Sequence, residues 1–365
     1  MRASKSSRGS WPVAAIDEIT LLKGLVTIYS PTGQTDIVTE YLVQCAERLG
    51  LKAAVDKAGN IQMVGGRGPK HVMFLCHVDT VPGELKVHQE GPFITGRGSV
   101  DAKGCLAGAM IVASMFANDE RGKVEVLAVV DEEGPSLGVR ERIKGDRPDV
   151  VIVGEPSGWE GITIGYKGSL RLKCQCVTPK YHAGFMVQNS IQSSVDHWEA
   201  LEAFCIKESE RVEGGGKFDI ISPTLVELNT HDNGIHVSTT MEIDVRFPPG
   251  YNLARLRRFI EADRANVDVE YLEEEPAVLV GKNNELVRAL LKGIRSLEGE
   301  PVFKKKTGTS DMNVTAATWH GTPIVAYGPG DSSLDHSPEE RIDTREYKRA
   351  IHVLKIAIEK VLAGK

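Results

Sequence analysis

Histidine and carboxylate side chains recur along this sequence, mostly where an apolar segment ends. The set consists of His77, Asp79, Asp101, Glu132, Glu133, Glu155 and His336. Each of them alone is weak evidence, because a histidine near the end of a strand usually has a structural role and adjacent glutamates are usually solvated. Several acids that converge with few nearby cations are costly to bury, and bound metal ions are the usual remedy. The set therefore predicts a metal centre.

The kinds of side chain in this set indicate the metal and its chemistry. Imidazole and carboxylate ligands without cysteine suit zinc or a similar divalent ion in a catalytic site with one open position. Two histidines and three carboxylates suffice for two metal ions if one carboxylate bridges them. If residues 77–79 are extended, Asp79 could accept the second ring N–H of His77. We expect the adjacent Glu132 and Glu133 to point apart, so that one binds metal while the other acts as a general base.

The apolar segments that precede these residues read as strands of one sheet, at residues 72–76, 124–130, 150–153 and 323–327. Helical patterns alternate with them, for example at residues 36–49 and 344–362. This alternation predicts an α/β fold whose sheet is covered on both faces. In such sheets the chemistry lies beyond the carboxyl ends of the strands, which is where the acids and histidines fall.

The middle of the chain, residues 168–280, has a different pattern. It reads as strand, helix, strand, strand, helix, strand, the order of an α+β (ferredoxin-like) unit. We therefore expect this unit to be inserted into a larger domain made of residues 16–167 and 281–365. Residues 1–15 carry basic residues without an apolar segment, so we expect a disordered extension rather than a secretory signal.

The composition limits the class of protein. The chain has 365 residues, 44 Lys+Arg against 50 Asp+Glu, and a net charge of −6. This balance, with no long basic run, makes nucleic acid an unexpected partner. Because no apolar stretch approaches the roughly 18 residues that a membrane span needs, we expect no membrane partner. Six cysteines scattered through apolar segments predict reduced thiols and a cytoplasmic location.

The motifs around the candidate ligands form an ordered set. They are CHVDTVP at 76–82, GRGSVDAKG at 96–104, DEEG at 131–134, GEP at 154–156, and His336. In this order they resemble the dinuclear zinc aminoacylase and carboxypeptidase family, which includes acetylornithine deacetylase and succinyl-diaminopimelate desuccinylase. The resemblance covers nearly the whole chain after residue 16. One departure is Cys76, where many relatives have glycine, and packing on the strand is the expected role of its thiol.

The resemblance implies a mixed-sheet, zinc-peptidase-like catalytic domain in which residues 168–280 form a lid and dimerisation domain. It further implies two divalent ions, expected to be zinc with cobalt as a second candidate. Three residues would hold each ion, with one residue shared, in the sets His77, Asp101, Glu155 and Asp101, Glu133, His336. Glu132 would be the base that deprotonates the bridging water.

Further residues match the family at positions that face the substrate. His182, in the string YHAG, matches a lid histidine that acts from the partner subunit of a homodimer; an exposed loop histidine is the alternative. Arg246 matches an arginine for a substrate carboxylate, where a planar guanidinium gives bidentate contact; an ordinary surface salt bridge is the alternative. Thr309, Ser310 and Asp311 match a substrate loop, or else form an ordinary helix start capped by Ser310 or Thr309.

Longer strings, among them GEPSGW at 154–159 and KTGTSDMN at 306–313, resemble one subgroup, the amino-group carrier protein–lysine (or –ornithine) hydrolases. The implied reaction releases lysine or ornithine from the terminal glutamate of a small acidic carrier protein, at the last step of lysine or arginine biosynthesis. Lys304, Lys305 and Lys306 are candidate carrier contacts, or a solvated lysine run. The alternatives are a deacetylase of acetylornithine or another small N-acyl amino acid, a dipeptidase or carboxypeptidase, and a non-catalytic binding relative.

Overall fold

The computed structural model describes residues 16–212, 214, 216–262 and 267–364, so the extension predicted at residues 1–15 lies outside the described residues. The α-helices in this part of the chain are α1 (Glu18–Thr27), α2 (Asp36–Arg48), α3 (Lys103–Met115), α4 (Leu137–Arg142), α5 (Ser190–Ser209), α6 (Leu253–Ala262), α7 (Glu285–Ser296), α8 (Asp311–Thr318) and α9 (Thr344–Leu362). None of these helices combines the length and the apolar character that crossing a membrane requires.

The strands of the same residues form three sheets. They are β1 (Lys52–Val55), β2 (Ile61–Gly66), β3 (Lys70–His77), β4 (His88–Glu90), β5 (Phe93–Thr95), β6 (Gly122–Val129), β7 (Val150–Val153), β8 (Gly161–Tyr166), β9 (Gly168–Pro179), β10 (Ser222–Asp232), β11 (His236–Phe247), β12 (Asp268–Glu275), β13 (Val278–Leu279), β14 (Val302–Lys306), β15 (Ile324–Ala326) and β16 (Arg341–Asp343). The smallest sheet has the order β16-β5-β4.

The largest sheet is mixed, as the family resemblance implies. Its order is β1-β2-β6-β3-β7-β15-β8-β13, and β14 pairs with β8. Strands β6, β3, β7 and β15 lie side by side in parallel, and antiparallel pairings extend the sheet at both edges. Because parallel strands end at one edge, the polar residues that follow β3, β6 and β7 come together there.

The central strands are apolar on both sides because each side is covered. In β3, Val72 and Phe74 pack into a core formed with α1, α2, α3, α7 and α9. The alternate residues, Met73 and Leu75, pack into a second core with α4 and α8. A strand buried on both faces reads as a continuous apolar run, which is the pattern seen in the sequence. The prediction of a sheet covered on both faces is confirmed.

Residues 168–275 contain the separate four-stranded sheet, in the order β10-β11-β9-β12 with antiparallel pairs. Helices α5 and α6 pack on one face, where Leu201 and Leu256 meet Cys174 and Cys176 of β9. This order of elements and strands is that of the predicted ferredoxin-like unit. Cys174 and Cys176 both lie in the apolar core, as their alternation along a strand requires.

Asn313, in α8, hydrogen-bonds to both segments that connect the largest sheet with the four-stranded sheet. The side chain is fully buried, and its Nδ2 donates to the backbone oxygens of Lys167 (2.9 Å) and Pro276 (2.7 Å). Its Oδ1 accepts from the backbone N–H of Ser310 at 2.9 Å. The chain enters the inserted unit after Lys167 and leaves it near Pro276, so one side chain holds this unit next to the segment before α8.

Candidate metal and catalytic site

The predicted ligands lie at the carboxyl edge of the parallel strands. His77 is the last residue of β3, Glu132 and Glu133 follow β6, and Glu155 follows β7. Asp101 stands just before α3, and His336 lies in the connection from β15 to β16. The fold therefore brings together side chains that are separated by up to 259 residues (336 − 77) in the sequence.

Two of the three groups of candidate ligand atoms in the described residues overlap at one carboxylate. The first group is His77, Asp101 and Glu155, and the second is Asp101, Glu133 and His336; within each group the ligand atoms lie within 4.8 Å of one another. Asp101 belongs to both groups, because its Oδ1 is 3.1 Å from His77 Nε2 and its Oδ2 is 3.0 Å from His336 Nε2. This is the arrangement that a carboxylate shared by two metal ions requires.

Asp79 contributes differently from the sequence-based expectation. The ring Nδ1 of His77 is 2.8 Å from the backbone oxygen of Asp79 but 3.8 Å from the nearer carboxylate oxygen. The expectation that the carboxylate accepts the second ring N–H was therefore wrong, because the backbone carbonyl lies closer. The carboxylate instead accepts the backbone N–H groups of Glu132 and Glu133, both at 3.2 Å, and the hydroxyl of Thr32 at 2.8 Å. Asp79 thus fixes the backbone on which both glutamates stand.

Glu132 and Glu133 do not point apart. Each places a carboxylate oxygen within 4.8 Å of the other and of a ring nitrogen of His77. Side chains alternate between two sides only in an extended strand. Here β6 has already ended at Val129, and Asp131 has a φ of 61°. Both carboxyls therefore face the candidate metal centre.

The electrostatics of the cluster show an excess of buried carboxyl groups. Burial raises the pKa of Glu155, Asp311 and Asp335 to about 8. Burial also raises the pKa of Glu132 well above its ordinary value. For Asp101, burial is outweighed by hydrogen bonds from His336 and His77, which lower its pKa. Divalent cations would neutralise this charge, so the oxygen and nitrogen donors present fit such ions.

A cavity of about 710 Å³ opens directly onto the cluster. Its walls include Asp101, Glu132, Lys306 and Thr309 from the larger part of the fold, and Phe218 from the inserted unit. A cavity of this size falls in the range for small-molecule sites. The candidate substrate therefore meets residues from both parts of the fold.

The predicted substrate residues fall into two places around this cavity. Thr309 lines it and accepts a 3.1 Å hydrogen bond from Nη1 of Arg246, whose Nε donates to Asp244 at 2.6 Å. Ser310 caps α8 through a capping box with Asn313. The helix-start interpretation is therefore correct for Ser310, while the Arg246 guanidinium reaches Thr309 beside the cavity.

His182 lies apart from the cluster. It is exposed, it immediately precedes a short 3₁₀ turn, Ala183–Phe185, and its Nδ1 accepts the backbone N–H of Gly184 at 3.1 Å. His182 lines a separate groove of about 840 Å³ rather than the metal-facing cavity. Within one chain, the structure does not bring the predicted lid histidine to the candidate site.

Sequence reasoning missed the group that supports Asp101. Glu340 is fully buried and accepts the backbone N–H groups of Val100 (3.0 Å) and Asp101 (3.2 Å). Its other oxygen accepts Nη1 of Arg97 at 2.8 Å. The same Nη1 donates to the backbone oxygen of Ser337. Glu340 and Arg97 thus join the loop of Asp101 to that of His336, and the only sequence signal was a second acid after the string HSPE.

Replacing Glu340 with alanine is expected to weaken divalent-metal binding by about 10- to 100-fold. Losses of this size are typical when a residue that supports the metal ligands through hydrogen bonds is removed. The change leaves two buried backbone N–H groups near Asp101 without their acceptor. Isothermal titration of the metal-depleted protein measures the effect. The neighbouring exposed Glu339→Ala is the matched control, and wild-type metal affinity in Glu340→Ala would contradict this role.

Comparison with known proteins identifies the class. The sequence profile of peptidase family M20/M25/M40 matches residues 73–360. The chain belongs to this family, which confirms the resemblance inferred from its motifs. An M20 family metallo-carboxypeptidase from Sulfolobus solfataricus is similar in structure, with a TM-score of 0.79 at 17% identity, covering 95% of this chain and 100% of that one. The fold predicted from the sequence is therefore confirmed.

Two relatives are similar over most of their length. The LysW-lysine hydrolase of Deinococcus radiodurans is 38% identical over 351 residues, which cover 94% of this chain and 97% of the relative. The LysW-lysine/LysW-ornithine hydrolase of Sulfurisphaera tokodaii is 30% identical over 346 residues, which cover 94% of this chain and 96% of the relative.

Proposed function

We propose that this protein is a metal-dependent amide hydrolase that releases lysine or ornithine from the terminal glutamate of a small acidic amino-group carrier protein. The observation that carries the proposal is the pair of ligand groups sharing Asp101 at the base of one cavity. The two relatives are named as hydrolases of lysine or ornithine attached to LysW, which we take to be the carrier. These names favour a carrier-bound amino acid over acetylornithine as the substrate. The reaction would complete the synthesis of lysine or of the arginine precursor ornithine.

The metal centre of the proposal has two divalent ions. His77, Asp101 and Glu155 would hold one ion, and Asp101, Glu133 and His336 the other. Zinc suits this donor set, and cobalt is the second candidate. When bound, such ions polarise the scissile carbonyl and lower the pKa of a coordinated water.

Glu132 is the general base in this mechanism. Its backbone is held by Asp79, which aims the carboxylate at the water that attacks the amide. Glu132 takes the proton from this water and returns it to the nitrogen of the leaving amino acid. Arg246, steadied by Asp244 and Thr309, binds the carboxylate of that amino acid in a planar, bidentate manner.

The lid and dimer parts of the proposal rest on residues 168–280. Strand β10 is an edge of its sheet and exposes Val226 and Leu228, while α5 exposes Ile191 and Val195 near His182. Unpaired strand edges and exposed apolar side chains are features that association covers. A second copy of the chain would cover them in a homodimer, and the partner's His182 would donate to the oxyanion that forms on the substrate.

Mixed dimers test whether His182 acts across subunits. Glu132→Gln and His182→Ala each impair every site of their own homodimer. Random co-assembly in equal amounts gives half heterodimers with one intact site each, so about a quarter of wild-type activity is expected if His182 acts in trans. The two chains are co-expressed, and released lysine is measured. Activity no higher than the mean of the two homodimers would refute the trans arrangement.

The location proposed is the cytoplasm. The six cysteines are all free, and all are buried in the described structure, as is typical of a protein from a reducing compartment.

The substrate is tested by direct competition. The metal-loaded enzyme receives the lysine-bearing carrier and Nα-acetylornithine together, and amino-acid analysis follows lysine and ornithine. Faster release of lysine per enzyme is the expected result. Faster release of ornithine would move the assignment to a small-molecule deacetylase. Inertness towards both substrates, and towards unmodified dipeptides, would favour a non-catalytic binding protein.

A further inference from the structure

The three consecutive lysines of β14 have three different surroundings. Lys306 lines the metal-facing cavity, and its side chain is only 16% exposed. The Nζ of Lys305 lies 4.9 Å from the ring centre of Phe218 and 3.9 Å from Asp219, and all three residues line the same cavity. Lys304 turns away from the cavity and lies over the Gly158–Gly161 turn. The run is therefore not a uniform solvated face.

Lys306 places a positive charge next to the candidate metal ligands. Its Nζ is 3.9 Å from Oε2 of Glu155 and 3.9 Å from Oδ2 of Asp335. The same ammonium group lies 5.9 Å from the ring centre of Tyr166. Holding a lysine largely out of water costs free energy unless its charge is matched. Once divalent cations occupy the cluster, part of the negative charge facing Lys306 is already neutralised, so a further anion would be accommodated there.

The proposed substrate offers that anion. A terminal glutamate has two carboxyl groups, and only one of them forms the amide with lysine or ornithine. The other stays a free carboxylate on the acyl side of the scissile bond. The amino acid on the leaving side has a carboxylate of its own, and an acetyl group in place of glutamate would have none.

We infer that Lys306 binds the free carboxylate of the glutamate, and that this contact selects a glutamyl amide over an acetyl amide. The inference rests on the proposed function. Its geometric support is the segment from Lys306 to Thr309, which forms part of the cavity wall. Lys306 stands at one end of this segment, and Arg246 donates a hydrogen bond to Thr309 at the other end. Two cations thus flank the segment, as two carboxylates flank the scissile amide.

The test compares two small substrates in the variant Lys306→Met. One is the glutamyl-lysine amide, and the other is the same amide with the free acyl-side carboxylate replaced by hydrogen. Because a hydrogen bond between charged groups is lost only with the first, its kcat/KM is expected to fall by about 10- to 100-fold. The second substrate is expected to show little change. Equal losses on both substrates would overturn the inference.

Controls separate this contact from structural damage. Lys304→Met, on the same strand but turned from the cavity, is expected to leave kcat/KM unchanged for both small amides, which lack the rest of the carrier. Lys306→Arg keeps the charge and is expected to retain most of the preference for the amide with the free carboxylate. This variant tests the inference even if Lys306→Met folds poorly. Metal content is measured in each variant. If Lys306→Met loses metal, and Lys306→Arg regains the metal but not the discrimination between the two amides, the inference is wrong.

The proposed function can fail separately. If the conjugated carrier is inert while the small glutamyl amide shows the Lys306 effect, the carrier proposal is wrong and the carboxylate contact stands. If the carrier is hydrolysed and the two amides lose activity equally, the reverse holds. Should the wild type leave the free amides intact, the same ratio is measured on the conjugated carrier against Nα-acetyl-lysine.

Discussion

Replacing Glu132 with glutamine is expected to lower kcat by about 10²- to 10⁴-fold, the range for loss of a general base. Glutamine has nearly the same shape but cannot take the proton from the attacking water. The side chain stands on backbone held by Asp79 through N–H groups, so the substitution does not disturb that support. Glu132 lies outside the two ligand groups that share Asp101, and the metal content is expected to remain at the wild-type level.

Two measurements distinguish this role from metal binding. The first is kcat on the conjugated carrier, and the second is the number of ions per chain by plasma mass spectrometry. Glu133→Gln is the matched control, because Glu133 faces His336 at 3.0 Å and its replacement is expected to remove metal as well as activity. Full activity in Glu132→Gln would refute the base assignment. Loss of metal from that variant would instead make Glu132 a ligand, as its position near His77 and Glu133 also permits.

Replacing Asp101 with asparagine is expected to affect both ions and to abolish activity. Its two carboxylate oxygens face His77 on one side and His336 on the other, at 3.1 and 3.0 Å. An amide keeps the shape but offers one weaker oxygen and one nitrogen that does not bind metal. The loss of metal affinity is expected to exceed the roughly 10- to 100-fold loss that is typical when a residue supporting the ligands, rather than a ligand itself, is replaced.

Metal stoichiometry tests the shared position of Asp101. Glu155→Gln touches only one ligand group, so it is the natural comparison and is expected to reduce affinity at one site of two. Asp101→Asn is expected to bind neither ion at concentrations that saturate the wild type. A variant that still binds two ions tightly would contradict the bridging arrangement and favour separate sites.

The strands and their terminal residues were predictable because each is encoded by a short, continuous stretch of sequence. Strand β3 is apolar throughout since both of its faces are buried, and His77 marks the point where the strand reaches the edge of the sheet. The same pattern at β6 and β7 placed Glu133 and Glu155 at this edge. Parallel pairing then brought these acids together, as general sheet topology requires.

Other parts of the site depend on contacts that no local pattern encodes. Glu340 reaches the Asp101 loop across 239 residues of sequence, and Phe218 enters the cavity only because the inserted unit lies against it. The orientation of Glu132 and Glu133 was mispredicted because strand alternation was extended past the end of β6. His182 lies away from the candidate site in a single chain, so the role proposed for it depends on a second copy of the chain.

Intact-mass spectrometry of the lysine-bearing carrier shows whether this protein hydrolyses the carrier–lysine bond. The conjugate is incubated with the metal-loaded enzyme, with Glu132→Gln as the inactive control. The carrier is expected to lose the mass of one lysyl residue and to keep its terminal glutamate, with free lysine appearing in equal amount. A carrier of unchanged mass, or one that also loses its glutamate through cleavage of the preceding peptide bond, would contradict the proposed function.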